Sequence, residues 1–338
     1  MTLLKLDNVC QRYPIGKKGW LGKPAQELRA VNKISLSLNK GETLAIVGES
    51  GCGKSTLGRM VALLESPVEG GVEIDGIQTA GLKGQALKDL RRKLGLVFQD
   101  PYSALNPRLP ISELVGEPLE VYNVGDKASR KAKVIEALKA VGLSEDALDR
   151  YPHEFSGGQR QRICIARALV LDPKLIIADE PLSALDVSVQ SQVLNLFAEL
   201  QRERNLSFFF ISHDMAVVDY LADTIVVMYL GQVVEQAPRD AFFSKPAHPY
   251  SQALLAAVPE VGKGKRKRGL ALQGDVPSPI DPPSGCTFHP RCAKATEKCK
   301  QETPVASVYE DDNKHMVACH YPGEEIDVKK MESEEATV

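Results

Sequence analysis

Long hydrophobic runs are absent from the sequence. The most apolar stretches are Thr43–Val47, Leu175–Ala178, Phe208–Ile211 and Ile225–Tyr229. All of them are far shorter than the roughly 18 apolar residues that a membrane-spanning helix needs, and short runs of this kind are typical of buried strands. The N-terminal residues also lack the charged and apolar regions of a secretory signal. We therefore expect a cytosolic chain that reaches a membrane only through a partner.

An excess of charge of one sign is also absent. Lys plus Arg number 42 and Asp plus Glu 44, so the net charge of -2 gives no general attraction to nucleic acid. The basic run Lys263–Arg268 is therefore interpreted as a solvated linker rather than a site for nucleic acid or anionic lipid. A length of 338 residues allows one large domain and a smaller appendage.

Cysteine is sparse through most of the chain and concentrated near its end. Four of the seven cysteines lie within the last 53 residues, at Cys286, Cys292, Cys299 and Cys319. A cytosolic protein keeps its thiols reduced, so a cluster of this kind indicates a metal site more readily than disulfides. The gaps of five, six and nineteen intervening residues lack the C-x-x-C pairs of zinc ribbons.

Apolar periodicity predicts an α/β fold. Residues 1 to about 80 have the pattern of a β-rich segment, and from Leu82 to Leu148 the periodicity becomes helical. Helix and strand then alternate, which favours a mainly parallel sheet flanked by helices. The predicted elements of this part are Gly158–Leu171 (helix), Lys174–Asp179 (strand), Val187–Arg204 (helix) and Ser207–Ser212 (strand).

A phosphate-binding loop is predicted directly after the first apolar run. Thr43–Val47 is followed by GESGCGKST and a helix, which fits G-x-x-x-x-G-K-[ST]. Glycines let the loop curl so that its N–H groups face phosphate oxygens, and the helix adds the positive end of its dipole. Lys54 is expected to neutralise the β and γ phosphates, and the Ser55 hydroxyl to bind Mg²⁺. The residues expected to contact ATP here are Gly48, Ser50, Gly51, Cys52, Gly53, Lys54, Ser55 and Thr56.

Two adjacent carboxylates end the apolar strand that begins at Leu175. Neighbouring acids repel each other, so this pair would destabilise the strand end if it had no function. Beside a phosphate loop the two have complementary roles: Asp179 would order the Mg²⁺ shell, and Glu180 would polarise the attacking water as general base.

A further motif, Phe155-Ser156-Gly157-Gly158-Gln159, leads into a helix. It resembles the signature of ATP-binding-cassette (ABC) ATPases, which usually begins with leucine; Phe155 departs from that pattern at a packing position. Ser156 and the glycine amides would form an anion cradle at the helix N-terminus. In the family this cradle faces the γ-phosphate held by the opposite subunit. The resemblance therefore implies two ATP molecules sandwiched between two cassettes.

Other residues of the family pattern occur in the same order. Tyr13 matches the aromatic residue that stacks on adenine, and Gln99 the glutamine that reaches Mg²⁺ and the attacking water. His213 matches the switch histidine that contacts the γ-phosphate. Ser183-Ala184-Leu185-Asp186 resembles the loop that crosses the dimer interface. The resemblance thus implies catalytic residues Glu180, His213 and Gln99, Mg²⁺ contacts from Ser55, Gln99 and Asp179, and contacts to the opposite ATP from Ser156, Gly157, Gly158, Gln159 and Asp186.

The resemblance also implies a domain organisation. We expect a P-loop NTPase of the ABC type at 1–260, with a mainly parallel core sheet, an antiparallel β subdomain and an α-helical subdomain at about 100–157. A Cys-containing C-terminal extension is expected at 261–322, and a disordered tail at 323–338.

The end of the chain resembles the extension of dipeptide and oligopeptide importer ATPases. The resemblance rests on Ala247–Leu255 (AHPYSQALL), Pro277-Ser278-Pro279 and Gly285–Cys292 (GCTFHPRC). It implies an ATPase at the cytoplasmic face of the cell membrane. The implied partners are a paralogous ATPase subunit, two transmembrane permeases and a periplasmic or extracellular peptide-binding protein, with no nucleic acid.

Related importer ATPases carry a [4Fe–4S] cluster in this extension, so the four late cysteines are expected to hold one. A zinc site is an alternative, because three histidines lie nearby in the sequence, at His289, His315 and His320. Four thiols without a metal are a further alternative.

Several other functions stay open at this point. Nickel and antimicrobial-peptide uptake systems share the extension. A repair ATPase would carry long coiled coils between phosphate loop and signature, a translational ATPase a second cassette, and the sequence shows neither. A metal-sensing regulator that uses ATP only as a ligand would not need Glu180 and His213. An exporter or lipid transporter is disfavoured by the extension.

Overall fold

The structure, a computed structural model, describes residues 1–16, 26–257, 274–310 and 312–323. The predicted linker run at 263–268 and the predicted disordered tail beyond residue 323 lie outside the described residues. The strands are β1 (Thr2–Ile15), β2 (Gln26–Asn39), β3 (Thr43–Val47), β4 (Glu69–Ile74), β5 (Ile77–Gln78), β6 (Leu94–Val97), β7 (Leu175–Asp179), β8 (Ser207–Ile211), β9 (Thr224–Tyr229), β10 (Gln232–Pro238), β11 (Ser307–Tyr309) and β12 (Asp312–Val317).

The helices surround two sheets. They are α1 (Lys54–Val61), α2 (Gly84–Arg91), α3 (Pro101–Ala104), α4 (Ile111–Val121), α5 (Lys127–Ala140), α6 (Gly157–Leu169), α7 (Val187–Arg204), α8 (Met215–Leu221), α9 (Arg239–Ser244), α10 (Pro249–Ala256) and α11 (Glu297–Gln301). Short 3₁₀ turns lie at Glu145–Ala147, Pro152–Glu154 and His289–Arg291.

The larger sheet is mixed and has eight strands among the described residues, in the order β11-β12-β10-β9-β3-β8-β7-β6. The five strands from β9 to β6 run parallel to one another, while β10, β12 and β11 are antiparallel additions. Every residue of β3 and β8 is buried, because helices cover both faces of a parallel sheet. This mixed α/β architecture confirms the predicted fold class.

The smaller sheet is antiparallel, with the order β2-β1-β4-β5. Its inward-facing side chains join those of β3, α1 and β8 in one core, which includes Leu4, Leu36, Val72, Leu57 and Phe209. The sheet therefore packs against α1, and the carbonyl oxygen of Ala30 in β2 lies beside Gly53 in the loop that precedes that helix.

The stretch 82–148 is mostly helical, as predicted, but one strand interrupts it, and there the prediction was wrong. Strand β6 interrupts the segment at Leu94–Val97 and pairs with β7 in parallel register. Four residues, LGLV, are too few to show a period of two, so the interruption was hidden between two helical patterns. Helices α3, α4 and α5 follow it and pack on α6 around a separate apolar cluster.

The C-terminal region adds strands to the edge of the main sheet and does not form a separate unit beside it. Strand β12 pairs with β10, and the carboxylate of Glu235 in β10 is fully buried. Glu235 accepts hydrogen bonds from the backbone N–H groups of Ala247 and His248 and lies 2.8 Å from His315 Nε2 on β12. Burial alone would raise the pKa of Glu235, but these hydrogen bonds lower it. The carboxylate thus joins β10, β12 and the start of α10.

One carboxylate also connects the two sheets. Asp75 lies in the tight turn between β4 and β5, with a left-handed φ of 53°. Its oxygens lie 3.2 Å from Lys40 Nζ, 2.8 Å from Lys93 Nζ and 2.7 Å from Lys174 Nζ. Lys93 and Lys174 directly precede β6 and β7. Lys174 first, and then Lys93 and Lys40, hold the pKa of Asp75 well below its usual value.

We predict that Asp75→Asn lowers the free energy of unfolding at pH 7 by about 1–3 kcal/mol, because a charge-assisted hydrogen-bond network is lost. Since the folded-state pKa of Asp75 is depressed, its contribution is present above the unfolded pKa of about 3.9 and is lost as pH falls below it. Urea unfolding of both proteins at several pH values measures this. The difference between them should shrink in acid. Asp149→Asn, at an exposed carboxylate, is the control and should change little.

Candidate functional site

The loop between β3 and α1 is curled as a phosphate site requires. Gly48 has φ 147°, and a Cβ there would lie 2.3 Å from the carbonyl oxygen of Met228. Gly53 has φ 104°, and its Cβ would lie 2.1 Å from the carbonyl oxygen of Ala30. Both positions therefore require glycine on two grounds, the backbone conformation and the lack of space. The sequence pattern detects this geometry because only glycine can adopt it here.

Lys54 is the buried cation of this loop. Its Nζ donates to the carbonyl oxygens of Gly48 at 2.7 Å and Glu49 at 2.9 Å, so the ammonium lies across the inside of the curl. Helix α1 begins at Lys54, and its N-cap residue Gly53 offers no side-chain acceptor to the first amides. An ammonium and free helix N–H groups that face the same concavity form a site suited to an anion.

The rest of the loop surrounds this concavity. Ser50, Gly51 and Ser55 are exposed, and Thr56 is half-buried. The Cys52 thiol is buried, with Sγ 3.8 Å from Lys54 Nζ. Burial raises the pKa of Cys52, and the Lys54 charge opposes this rise, so the thiol stays protonated and fills space.

Tyr13 lies near the same loop, on β1. Its hydroxyl donates to Glu65 Oε2 at 2.5 Å, and it is also within hydrogen-bonding reach of Thr56. Glu65 in turn pairs with Arg59 of α1 at 3.5 Å. The ring is therefore held at the rim of the loop, on the side of the antiparallel sheet.

The two adjacent carboxylates reach this site from the end of β7. Ser55 Oγ donates to Asp179 Oδ1 at 3.3 Å, so the hydroxyl and the carboxylate already face each other. Burial raises the pKa of Asp179, and the negative charge of Glu180 adds to that rise, while the hydrogen bond from Ser55 opposes it. A divalent cation bound by Ser55 and Asp179 would offset the unfavourable burial of the Asp179 charge. The donor set of carboxylate, hydroxyl and amide oxygen suits Mg²⁺.

Three strand ends bring Glu180, Gln99 and His213 together. Gln99 follows β6 and donates its Nε2 to Glu180 Oε2 at 3.1 Å. His213 follows β8, and its Nδ1 lies 3.3 Å from the same carboxylate oxygen. The backbone N–H of Glu180 donates to the carbonyl oxygen of Ile211 at 3.0 Å, which fixes the carboxylate between the two strands. The carboxyl ends of neighbouring parallel strands meet at one edge, where α/β folds place their sites.

Glu180 has a strained backbone. Its φ is 47°, in the left-handed region that costs a non-glycine residue of order 1–3 kcal/mol. Such strain persists only where neighbouring contacts hold it, and it is common at catalytic positions. The conformation directs the carboxylate away from the β7 axis, toward Gln99 and His213.

The signature residues form a second group at the start of α6. Ser156 Oγ accepts from the N–H of Gln159 at 3.3 Å, and Gln159 Oε1 accepts from the N–H of Ser156 at 3.0 Å. A Cβ on Gly158 would lie 2.2 Å from Val189 Cγ1 of α7, so glycine lets the two helices approach closely. Phe155 is 5% exposed, as expected for a packing position. Each of these two side chains thus accepts from the backbone N–H of the other residue, within the first turn of α6.

Asp186 extends this second group at the N-terminus of α7. Its side chain makes no capping hydrogen bond and is exposed, and the adjacent Val187 is 79% exposed. Ser156, Gln159 and Asp186 thus present polar groups to solvent, and Gly157 and Gly158 lie between them. The structure therefore brings the predicted residues into two groups, one around the phosphate loop and one on the signature helix.

All four late cysteines line one small cavity. His248, His289, His320 and Phe288 contribute to the same walls. Burial raises the pKa of Cys292 and of Cys319 to about 11, and the neighbouring thiols add to this rise. Among the described residues, no three His, Cys, Asp or Glu side chains come close enough to hold one metal ion.

Two residues outside the phosphate loop, Arg291 and Tyr250, contact its Glu49 and were not predicted from the sequence. The Glu49 carboxylate lies 2.6 and 3.1 Å from the two terminal nitrogens of Arg291, and the Glu49 N–H donates to Tyr250 Oη at 2.8 Å. The one local signal was Glu49 itself, because an acid inside a phosphate-binding loop requires a cation nearby. Arg291 is 242 positions away, so no local pattern could identify it.

No helix in the described ranges is long and apolar enough to cross a membrane.

Taken together, the curled glycine loop, its buried lysine and the paired acids at the sheet edge define a P-loop nucleoside triphosphatase. The chain belongs to the ABC transporter ATPase family and carries the C-terminal region of its oligopeptide and dipeptide transporters. The family model described as "ABC transporter" matches residues 31–183, and "Oligopeptide/dipeptide transporter, C-terminal region" matches residues 234–299. The predicted family and ATPase activity are confirmed.

Similar proteins span almost the whole chain. A probable peptide ABC transporter ATP-binding protein of Sinorhizobium fredii is 48% identical, covering 94% of this chain and 90% of the relative. The dipeptide transport ATP-binding protein DppF of Haemophilus influenzae is 46% identical, covering 94% and 96%. The oligopeptide transport ATP-binding protein AppF of Bacillus subtilis is 48% identical, covering 94% and 97%.

Among solved structures, the chain is similar to the dimeric post-hydrolysis state of the ATP-binding cassette MJ0796 bound to ADP and Pi. The TM-score is 0.62 and the identity 33%, covering 70% of this chain and 99% of that one.

We predict that Gly53→Ala weakens nucleotide binding far more than Gly51→Ala. Both glycines have positive φ, so both substitutions carry a backbone cost of about 1–3 kcal/mol. Only at Gly53 does the new Cβ also meet the carbonyl oxygen of Ala30, which forces the loop to move. Titration with a fluorescent nucleotide measures both affinities. Equal losses in the two variants would contradict the packing explanation.

Proposed function

We propose that this chain is the ATP-hydrolysing subunit of an importer for dipeptides or oligopeptides. The observation that carries the ATPase part is that Gln99 and His213 both contact the same carboxylate oxygen of Glu180. Asp179, the residue before it, faces the Ser55 hydroxyl of the phosphate loop. The importer part is supported by the C-terminal region match at 234–299 and by relatives named for dipeptide and oligopeptide transport.

In this proposal Glu180 is the general base. Its carboxylate accepts a proton from the attacking water, and Gln99 and His213 hold it in the required orientation. Lys54 neutralises charge on the outer phosphates, and the amides of Gly48 to Thr56 cradle them. Ser55, Asp179 and Gln99 would hold Mg²⁺, which supplies further positive charge to the phosphates. Tyr13 would stack on the adenine ring.

The signature group requires a second cassette. Ser156, Gln159 and Asp186 are exposed and Gly157 is half-exposed at the starts of α6 and α7, while Gly158 is buried against Val189 of α7. Facing the γ-phosphate of an opposite subunit, they would complete its site and have theirs completed in return. Closure of the dimer on two ATP molecules is then the step that moves the transporter. We infer that the opposite cassette is a paralogue.

The surface for the membrane partner is a groove between the main sheet and α4. It has a volume of about 340 Å³ and is lined by Leu96, Phe98, Pro118, Tyr122 and Arg167, among others. Phe98 is 50% exposed and directly precedes Gln99. A short helix of a permease seated there would therefore lie next to the residue that contacts Glu180. From the resemblance to peptide importers we also propose two permeases, an external peptide-binding protein and a location at the cytoplasmic face of the membrane.

The domain division proposed is 1–260 for the cassette, with its helical part at about 100–157, and 261–322 for the extension. The helical part is supported by α3, α4 and α5, which share an apolar cluster with α6. The boundary at 260 lies outside the described residues.

We expect Glu180→Gln to keep ATP binding and to lower turnover by about 10²–10⁴, because the proton acceptor is lost while the shape and the hydrogen bond to Gln99 remain. The closed dimer should then accumulate with ATP. ATPase assays and size-exclusion chromatography measure both effects. Glu199→Gln, an exposed acid on α7, is the matched control. Turnover within a factor of two of wild type would refute the role of Glu180.

The transported substrate is tested in cells that lack this chain. Uptake of labelled dipeptides, longer peptides and nickel should be compared after restoring either the wild-type chain or Glu180→Gln. We expect wild type alone to restore peptide uptake. Restoration of nickel uptake only, or of neither, would exclude a peptide importer. Proteins that co-purify with the chain would identify its partners directly.

We further propose that Cys286, Cys292, Cys299 and Cys319 hold a [4Fe–4S] cluster with a structural role. The support is that four thiols, the donor set such clusters use, line a single cavity. Zinc held by some of these thiols with His289 or His320 is the alternative ligand chemistry.

Anaerobic purification tests this second proposal. We expect about four iron atoms and four sulfides per chain, with visible absorbance that Cys292→Ser abolishes. Cys164→Ser, at a buried cysteine of α6, is the control and should leave the iron content unchanged. Zinc in place of iron, or no metal at all, would contradict the cluster.

A further inference from the structure

The C-terminal region is attached directly to the phosphate loop. Arg291, in the 3₁₀ turn His289–Arg291, places its two terminal nitrogens on the two oxygens of Glu49. The Arg291 side chain is 4% exposed and that of Glu49 is 27% exposed. Paired hydrogen bonds of this geometry are among the stronger side-chain contacts, because both groups are charged and the guanidinium is planar.

A second contact fixes the backbone at the same residue. The N–H of Glu49 donates to the hydroxyl of Tyr250, on α10, at 2.8 Å. Tyr250 is fully buried. It packs against Tyr229 and Phe288, with ring centroids 4.9 and 5.3 Å away. The conformation of the loop at Glu49 is therefore set by both its side chain and its amide.

These contacts begin at the wall of the cysteine-lined cavity. Arg291 lies between Cys286 and Cys292 in the sequence, and Phe288 lines the cavity while contacting Tyr250. The backbone N–H of Cys286 donates to the carbonyl oxygen of Cys299, which closes the segment on itself. A change in the positions of these cysteines would therefore move Arg291 and Phe288 with them.

The charge of Glu49 makes Arg291 important for an anionic ligand. A carboxylate in the phosphate loop repels phosphate, and Lys54 contacts only the backbone carbonyl of Glu49, not its side chain. Arg291 neutralises that carboxylate. Without Arg291 the loop would carry an unpaired negative charge next to the phosphates, and it would lose one of its two anchors.

We propose that Arg291 and Tyr250 are positioning residues for the nucleotide site, through which the state of the cysteine-lined cavity sets ATP affinity. This rests on the proposed function of the phosphate loop. Coupling between two sites typically changes an affinity by about 5- to 150-fold, and it acts equally in both directions. Whatever orders the segment Cys286–Cys292 should thus tighten nucleotide binding, and the nucleotide should order that segment.

The first test is a double-mutant cycle on the full chain, read out as affinity for a non-hydrolysable ATP analogue. We expect Arg291→Met to weaken binding by about 5- to 150-fold. Glu49→Gln combined with Arg291→Met should recover most of the loss, because no unpaired carboxylate then remains. His315→Gln is the matched control, since it leaves the buried Glu235 without its imidazole partner but does not touch the loop. It should lower thermal stability and leave nucleotide affinity unchanged.

The second test measures the reverse direction by hydrogen–deuterium exchange. Saturating analogue should slow exchange of the amides at 286–292 in the wild type and in His315→Gln, but not in Arg291→Met. The inference would be overturned if folded Arg291→Met bound the analogue with wild-type affinity, or if the double variant bound it no better than the single one. It would also be overturned if the nucleotide left exchange at 286–292 unchanged. Absence of nucleotide binding by the wild-type chain would instead contradict the proposed function itself.

Discussion

The site depends on the parallel arrangement of β3, β6, β7 and β8. Because these strands run in one direction, their carboxyl ends meet at one edge of the sheet. The phosphate loop and Glu180 directly follow such ends, and Gln99 and His213 each follow one residue later. If one of these strands ran the other way, its site residue would lie at the opposite edge of the sheet. The catalytic arrangement therefore depends first on the strand topology and then on the side-chain chemistry.

What the sequence predicted well was local. Strand Thr43–Val47 and helix Val187–Arg204 were identified with the bounds that the structure gives, because a buried parallel strand and a long helix carry strong patterns. Helix α6 was expected to begin at Gly158 and begins at Gly157, where the Ser156–Gln159 capping box fixes its start. Strand β6 was missed because four residues are too few to define a period.

What the sequence could not give was long-range pairing. Strand β12 joins the main sheet at β10, and Arg291 finds Glu49 across 242 positions. Neither contact follows from a period or a spacing, since each depends on where the fold brings two distant segments. The distances around Glu180 belong to the same class. The resemblance named the residues of the candidate site, but it did not supply the shared carboxylate oxygen on which Gln99 and His213 converge.

Two carboxylates, the buried Glu235 and the partly exposed Glu49, anchor the C-terminal region in different ways. Glu235 joins β10, β12 and the start of α10, all of them within or beside that region, so it secures the region to the sheet. Glu49 lies in the phosphate loop and takes its cation from the same region. The first contact would be sufficient if the region served only to cap the sheet. The contact between Glu49 and Arg291 makes the phosphate loop depend on the C-terminal region. Each of the two charges would be unfavourable without the other, because neither would then have its opposite charge nearby. The cysteine-lined cavity adjoins both anchors, because its walls include His248, whose N–H bonds to Glu235, and Phe288, which packs on Tyr250.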